Sequence, residues 1–485
     1  MVEGRPHGWG TRPAAAGEGP VEVGAMTEGR PHAGTNPYLR GLYAPVHEEI
    51  TAVDLPVTGR IPGSLCGRYL RNGPNPLEVE DPAAYHWFSG EGMIHGVRLR
   101  DGRAEWYRNR WVRSDAVAGQ LGEKLLHGPR HLDLDFAPNT HVQFFAGHCL
   151  ALVEGGTLPY ELDPELHTIG PFDFHGTLPG GLSAHPVLDP RSGELHAVAY
   201  CPAWPYVQYV VAGTDGRVRR SVDVPVGERP MMHAFSLTER YVLLYDLPVV
   251  FARLPGTAGH HPVWVPGRPA RLGVLPREGR AEQVRWLETD PCFVFHPMNA
   301  FEHGPPDGGR GRRFLTVHLV RYDRFFDAAS AGRPAPGEHL AHLERWTVDL
   351  TAGTVRRERL DDRPVEFPRV DPRRLTLPHR FGYAMHERQP GRDTGLLKYD
   401  LERGTAEEFR VPAGGDVGEG VFVPAAPGAA EDEGWVLAYA YDPARAASDL
   451  VVLAAQDFAA GPVARIHLPV RVPLGFHGTW VPDHP

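Results

Sequence analysis

Lysine is almost absent from this 485-residue chain. Lys124 and Lys398 stand alone, and arginine carries the rest of the positive charge. With a formal net charge of −10 there is no basic surplus, so nucleic-acid binding is not expected. Cysteine is scarce too. Cys66, Cys149, Cys201 and Cys292 form no C-x-x-C pair, which argues against a zinc ribbon or a redox dithiol. Four cysteines in a chain of this length also do not make a secreted disulfide scaffold, so reduced thiols in a cytoplasmic protein are expected. Long apolar runs are missing. The best, Tyr241 to Phe251, is interrupted by Asp246 and Pro248 and is too short to cross a bilayer. The first residues lack the apolar centre of a signal peptide. Catalytic signatures are missing as well: no Walker A loop, no G-x-G-x-x-G, no H-E-x-x-H and no G-x-S-x-G.

Proline (49) and glycine (56) are plentiful, and they leave little room for long helices. Residues 1–35 are rich in Gly, Pro, Ala and Glu without apolar periodicity, and read as a disordered extension. Within it Glu3-Gly-Arg-Pro-His7 recurs as Glu28-Gly-Arg-Pro-His32, and Met26 just before the second copy is a candidate start. From about residue 45 the texture is uniform. Short β-prone runs alternate with Gly, Pro and Asp turn signals. They include 111–114, 196–200, 206–211, 241–245, 313–320 and 434–441. Helical candidates are few, 116–126 and 337–344. Many short strands with no change of composition over 36–485 suggest one all-β unit. A propeller would deal with its strand edges by radial repetition, although no WD or kelch-like repeat is present.

There are 26 histidines, and no pair has local metal-ligand spacing. The informative features are longer motifs. They run in order from Gly67-Arg-Tyr-Leu-Arg-Asn-Gly-Pro-Asn-Pro76 and His86-Trp-Phe-Ser-Gly-Glu-Gly92 through Ala184-His-Pro186, Met231-Met-His-Ala-Phe235 and Phe295-His-Pro-Met-Asn-Ala-Phe-Glu302. Gly418-Glu-Gly420 and Val472-Pro-Leu-Gly-Phe-His-Gly-Thr-Trp480 complete the series. This series resembles the carotenoid cleavage oxygenase family, which includes apocarotenoid and lignostilbene cleavage enzymes and retinal pigment epithelial membrane protein-like members.

The resemblance implies a seven-bladed β-propeller, with a few short helices and loops capping the active-site face. It implies one Fe(II) per chain, held by His185, His233, His296 and His477. The gaps between these residues, 48, 63 and 181, agree with roughly 63 residues per blade. Imidazole suits iron, and four neutral ligands leave the ion its full charge. By the family pattern Glu154, Glu366 and Glu419 accept the remote ring N–H of His233, His296 and His477, leaving His185 without such a partner. Thr140 matches the residue that narrows one open position at the metal; a strand threonine with a packed methyl is the alternative reading. No organic cofactor is implied.

The implied reaction uses O2 to cleave a conjugated C=C bond into two carbonyl products. Lignostilbene-type members carry a Lys directly before the first of these glutamates and a Tyr on an early strand. Here Val153 precedes Glu154, and the early-strand position aligns with Trp111. That departure favours an apolar carotenoid or apocarotenoid over a phenolic stilbene. A stilbenoid Cα–Cβ dioxygenase, isomerohydrolase chemistry and a non-catalytic propeller binding protein are the alternatives. Expected partners are O2 and the polyene, with peripheral membrane contact for substrate uptake and no obligate protein partner. Residues 247–255 are the candidate docking patch; a core strand with a proline-rich loop is the other reading of that stretch.

Overall fold

The computed structural model describes residues 36–132, 134–254, 259–303, 313–326, 340–387, 394–411 and 414–483. The N-terminal extension with Met26 lies outside them. Strands dominate, and they form seven sheets set around one axis as a β-propeller, with a separate two-stranded ribbon at Val249–Ala252 and His261–Trp264.

Blade I takes Gly67–Pro74, Gly92–Arg100 and Arg103–Trp111. Blade II runs from His141–Phe145 to Thr168–Pro171, and blade III from Val187–Leu188 to Val218–Pro225. Blade IV runs from Phe235–Leu237 to Arg285–Thr289, blade V from Pro297–His303 to Thr354–Arg359, and blade VI from Val365–Arg369 to Thr405–Arg410. Blade VII begins with Asp416–Val417 and Val421–Pro424 and ends with Pro462–His467. The ring is closed from both ends of the chain. The N-terminal strand Val57–Gly59 adds to the outer edge of blade VII, and the C-terminal strand Gly478–Pro482 becomes the innermost strand of blade I.

The sequence explains the layering. Middle strands such as Leu195–Ala199 and Phe314–Tyr322 are apolar and buried nearly throughout, because blades pack face against face. Outer strands such as Val218–Pro225 and Thr354–Arg359 alternate half-buried and exposed positions, because only one side meets a neighbour. The largest apolar cluster runs through blades III to VI.

Two expectations about local structure change. The helix in 116–126 is real but shorter, Asp115–Leu121. Ser114 caps it by accepting from the Val117 N–H, and Gly122 ends it in the left-handed region at φ 68. The second candidate is not helical: Ala341–Asp349 is a long strand between two others, and 337–339 lie outside the described residues. No disulfide joins any of the four cysteines. No helix among the described residues is long and apolar enough to cross a membrane.

Candidate metal centre

Each outer strand leads to the innermost strand of the next blade, and the four histidines sit at the ends of such connections. His185, His233 and His296 stand one or two residues ahead of the innermost strands of blades III, IV and V. His477 directly precedes Gly478–Pro482, the innermost strand of blade I. Three ligand candidates thus come from successive blades, and the fourth arrives after three more steps round the ring, as the spacing suggested.

Their rings meet on the axis. Centroids of His185 lie 4.2, 5.1 and 4.7 Å from those of His233, His296 and His477. One ring nitrogen of each of His185, His296 and His477 falls within 4.8 Å of the others. His233 Nε2 is 3.3 Å from His296 Nε2, which is 3.1 Å from His477 Nε2.

The outer glutamates fix what these atoms are. Glu366 accepts from His296 Nδ1 at 2.5 Å, and Glu419 accepts from His477 Nδ1 at 2.9 Å. Both Nδ1 atoms therefore carry protons, and both Nε2 atoms are bare lone pairs aimed at one another. No hydrogen bond can link two bare lone pairs. Burial, followed by the neighbouring histidines, holds His185, His233 and His477 well below the usual imidazole range, so they are neutral. Buried neutral imidazoles with converging lone pairs are a donor set for a cation, and imidazole nitrogen suits iron.

Glu154 departs from the expected pattern. It lies 3.6 Å from His233 Nδ1 and 3.4 Å from His185 Nε2, and so stands between two histidines. His185 Nε2, His233 Nδ1 and Glu154 Oε2 are all buried without a hydrogen-bond partner. Nearby the backbone crosses closely, since a Cβ on Gly181 would meet Gly156 at 1.9 Å. Burial pushes Glu154 up to about 8, against the opposing pull of the Tyr200 phenol and the Ala184 N–H.

On the innermost strand of blade VI the family pattern marked Glu366, but not Phe367 or Arg369. A bulge between Glu366 and Arg369 places Phe367 in the left-handed region at φ 52. The bulge brings three side chains to the axis. Glu366 meets His296 and also accepts from the Tyr322 hydroxyl at 2.9 Å. The Phe367 ring lies 5.3 Å from His296 and 5.2 Å from His477. Arg369 forks onto Glu419 with bonds of 2.7 and 2.9 Å.

Thr140 ends the connection into blade II. It is buried; its carbonyl accepts the His477 N–H at 3.1 Å and its hydroxyl donates to Asn139 at 3.1 Å. Val153 is buried beside Glu154. Trp111 lies in an apolar cluster with Met93 and Val117, and its indole donates to the Asn75 carbonyl. A chain of rings leads to the histidines from Trp87, which is half-buried, through Phe476 and Phe88 to Phe295. Phe295 stands 4.9 Å from His233. The 247–255 stretch gives no exposed patch. Leu247, Val249, Val250, Phe251 and Leu254 are buried, and Pro255 lies outside the described residues.

A sequence profile described as retinal pigment epithelial membrane protein matches residues 43–482. A Mycobacterium tuberculosis protein named carotenoid cleavage oxygenase is 44% identical, covering 94% of this chain and 100% of its own. Lignostilbene dioxygenase of Pseudomonas brassicacearum superposes with a TM-score of 0.83 at 29% identity, covering 93% of this chain and 99% of that one. Cobalt-substituted Synechocystis apocarotenoid oxygenase superposes with a TM-score of 0.78 at 28% identity, covering 90% and 97%.

Proposed function

Because the chain belongs to the retinal pigment epithelial membrane protein family of carotenoid cleavage oxygenases, and is an enzyme of the dioxygenase type, we propose that it cleaves a conjugated C=C bond of a carotenoid or apocarotenoid with O2. The products are two carbonyl compounds. The carrying observation is the gathering of the His185, His233, His296 and His477 rings on the axis, with Nε2 of His296 within 3.1 and 3.3 Å of Nε2 of His477 and His233. These four would hold one Fe(II), with Glu154, Glu366 and Glu419 around them. Iron so held supplies the activation of O2. The protein's own part is to hold the imidazoles neutral and oriented, to keep water out, and to set the polyene in register. Thr140 narrows access beside the metal.

The ring series from Trp87 to Phe295 offers an apolar, polarisable wall suited to an extended polyene. Val153 cannot hold a phenolate. Neither lysine replaces it: Lys398 is paired with Asp432, and Lys124 is exposed in the loop after the short helix. A stilbenoid substrate is the second reading, favoured by the likeness to lignostilbene dioxygenase.

Iron content of the purified protein, followed by mass analysis of products from carotenoids, apocarotenals and a 4-hydroxystilbene, tests the proposal. Turnover of the stilbene alone overturns the substrate assignment. Failure to take up Fe(II) overturns the metal assignment. Conversion without O2 uptake or carbonyl products points to isomerohydrolase chemistry.

We place the enzyme in the cytoplasm, with peripheral contact to a membrane during substrate uptake. Leu121, Leu125 and Leu132, on the connection from blade I to blade II, are 37%, 45% and 54% exposed and take the role expected of 247–255. Replacing all three by Ser should reduce flotation with phosphatidylcholine vesicles; unchanged flotation would remove this dock.

A further inference from the structure

Blade II is one of three blades that bring no histidine to the axis, with blades VI and VII. Its neighbours carry His477 and His185, and its own innermost strand opens with His141, directly after Thr140. His141 is 4% exposed. Its Nδ1 lies 2.9 Å from the Ala184 carbonyl. A carbonyl only accepts, so Nδ1 carries the proton. Nε2 is buried, and the Gly478 backbone, next to His477, also bears on the ring. His141 is not one of the residues whose donor atoms converge.

The bond to Ala184 matters because Ala184 precedes His185. The Ala184 N–H donates to Glu154 at 3.2 Å, so this residue is gripped at both its N–H and its carbonyl. His185 has no hydrogen bond to a carboxylate to set its ring, the contact to Glu154 being 3.4 Å. Its placement therefore depends on the backbone. On its other side the His141 ring meets the His477 ring edge-on, at 5.3 Å and 69°. His141 is itself tied down, since Asn72 donates to its carbonyl at 3.0 Å.

We propose that His141 is a positioning residue for the metal centre: its Nδ1–H fixes the backbone that presents His185, so blade II sets the geometry of a ligand without supplying one. This rests on the four-histidine metal reading.

The test uses the full-length metal-free protein, titrated with Co(II) and followed by visible absorption and by chelator competition. His141→Asn puts an amide N–H where Nδ1 stands. His141→Gln puts it near the Nε2 position, and His141→Phe keeps a ring without a donor. Gln and Phe are expected to weaken Co(II) affinity roughly 10–100-fold and shift the absorption bands, with Asn staying within about threefold, as for outer partners of metal ligands. Native affinity and spectrum in both Gln and Phe would overturn the inference. So would equal loss in all three variants with equally lowered unfolding midpoints, the mark of a merely structural role. If the Phe variant does not fold, the Asn–Gln pair decides. If the unmodified protein takes up neither Co(II) nor Fe(II), the metal reading itself falls and takes this inference with it.

Discussion

His296 and His477 face each other through Nε2 at 3.1 Å, while each gives its Nδ1 proton to its own glutamate. Two hydrogen-bond acceptors held this close repel unless a cation lies against both. His296 Nε2 also lies 3.3 Å from His233 Nε2. His296→Ala should therefore abolish iron uptake and with it turnover. Metal analysis after reconstitution with Fe(II) checks this; a full equivalent of iron in the variant would refute the assignment of His296.

Glu419 differs from the other two glutamates in having a cation of its own. It accepts from His477, the Gly478 N–H and both arms of Arg369. Glu419→Gln should lower iron affinity roughly 10–100-fold, as losing the partner of a ligand does. It should also lower stability by about 1–3 kcal/mol, because Arg369 loses its carboxylate while still partly accessible at 31% of its side chain. Glu154→Gln removes no ion pair with an arginine and should leave stability nearer the native value. Denaturant unfolding of the metal-free variants separates the two; equal midpoints would show that the Arg369 fork contributes nothing.

Much of this architecture could be read in the chain, for identifiable reasons. Runs 206–211, 241–245 and 434–441 are strands because β-branched and aromatic residues sit between turn residues. The histidines were legible through motifs alone, since a ligand set gathered from four blades has no local spacing. Arg369 gave no signal in a chain where nearly every cation is arginine. The bulge that delivers it depends on Phe367 at positive φ, which is no common choice there. The burial of Leu247, Val249, Val250, Phe251 and Leu254 accompanies the ribbon at Val249–Ala252 and His261–Trp264, a pairing that an apolar stretch alone does not announce. His141 was hidden by standing next to Thr140, which the motifs did mark.

Phe88 lies at the middle of the ring series, 5.8 Å from Phe476 and 6.4 Å from Phe295. Phe88→Ala should raise KM for an apocarotenal by about tenfold, the order of one lost aromatic contact, with iron content unchanged. Steady-state kinetics on the iron-loaded variant decides. A fall in kcat at constant KM would place Phe88 outside the substrate path.

His196, in the second strand of blade III, shows how burial outside the centre ties stability to pH. It is 1% exposed and hydrogen-bonded to the Tyr209 hydroxyl at 2.8 Å. Arg277 and Arg219 bear on it from the cationic side, Glu194 and Asp189 from the anionic side. Burial dominates, with Arg277 next, and brings it down from the usual 6.5 to about 4. The unfolded chain therefore takes up this proton first as the pH falls. The stabilisation is complete above pH 6.5 and is lost progressively as the pH drops towards 4. At pH 5 the loss from this one group is about 2 kcal/mol. His196→Asn keeps a polar partner for Tyr209 at the Nδ1 position but cannot titrate. Its unfolding midpoint should fall less than that of the unmodified protein between pH 7.5 and pH 5. Parallel pH profiles would mean that His196 is not among the groups that make the fold acid-sensitive.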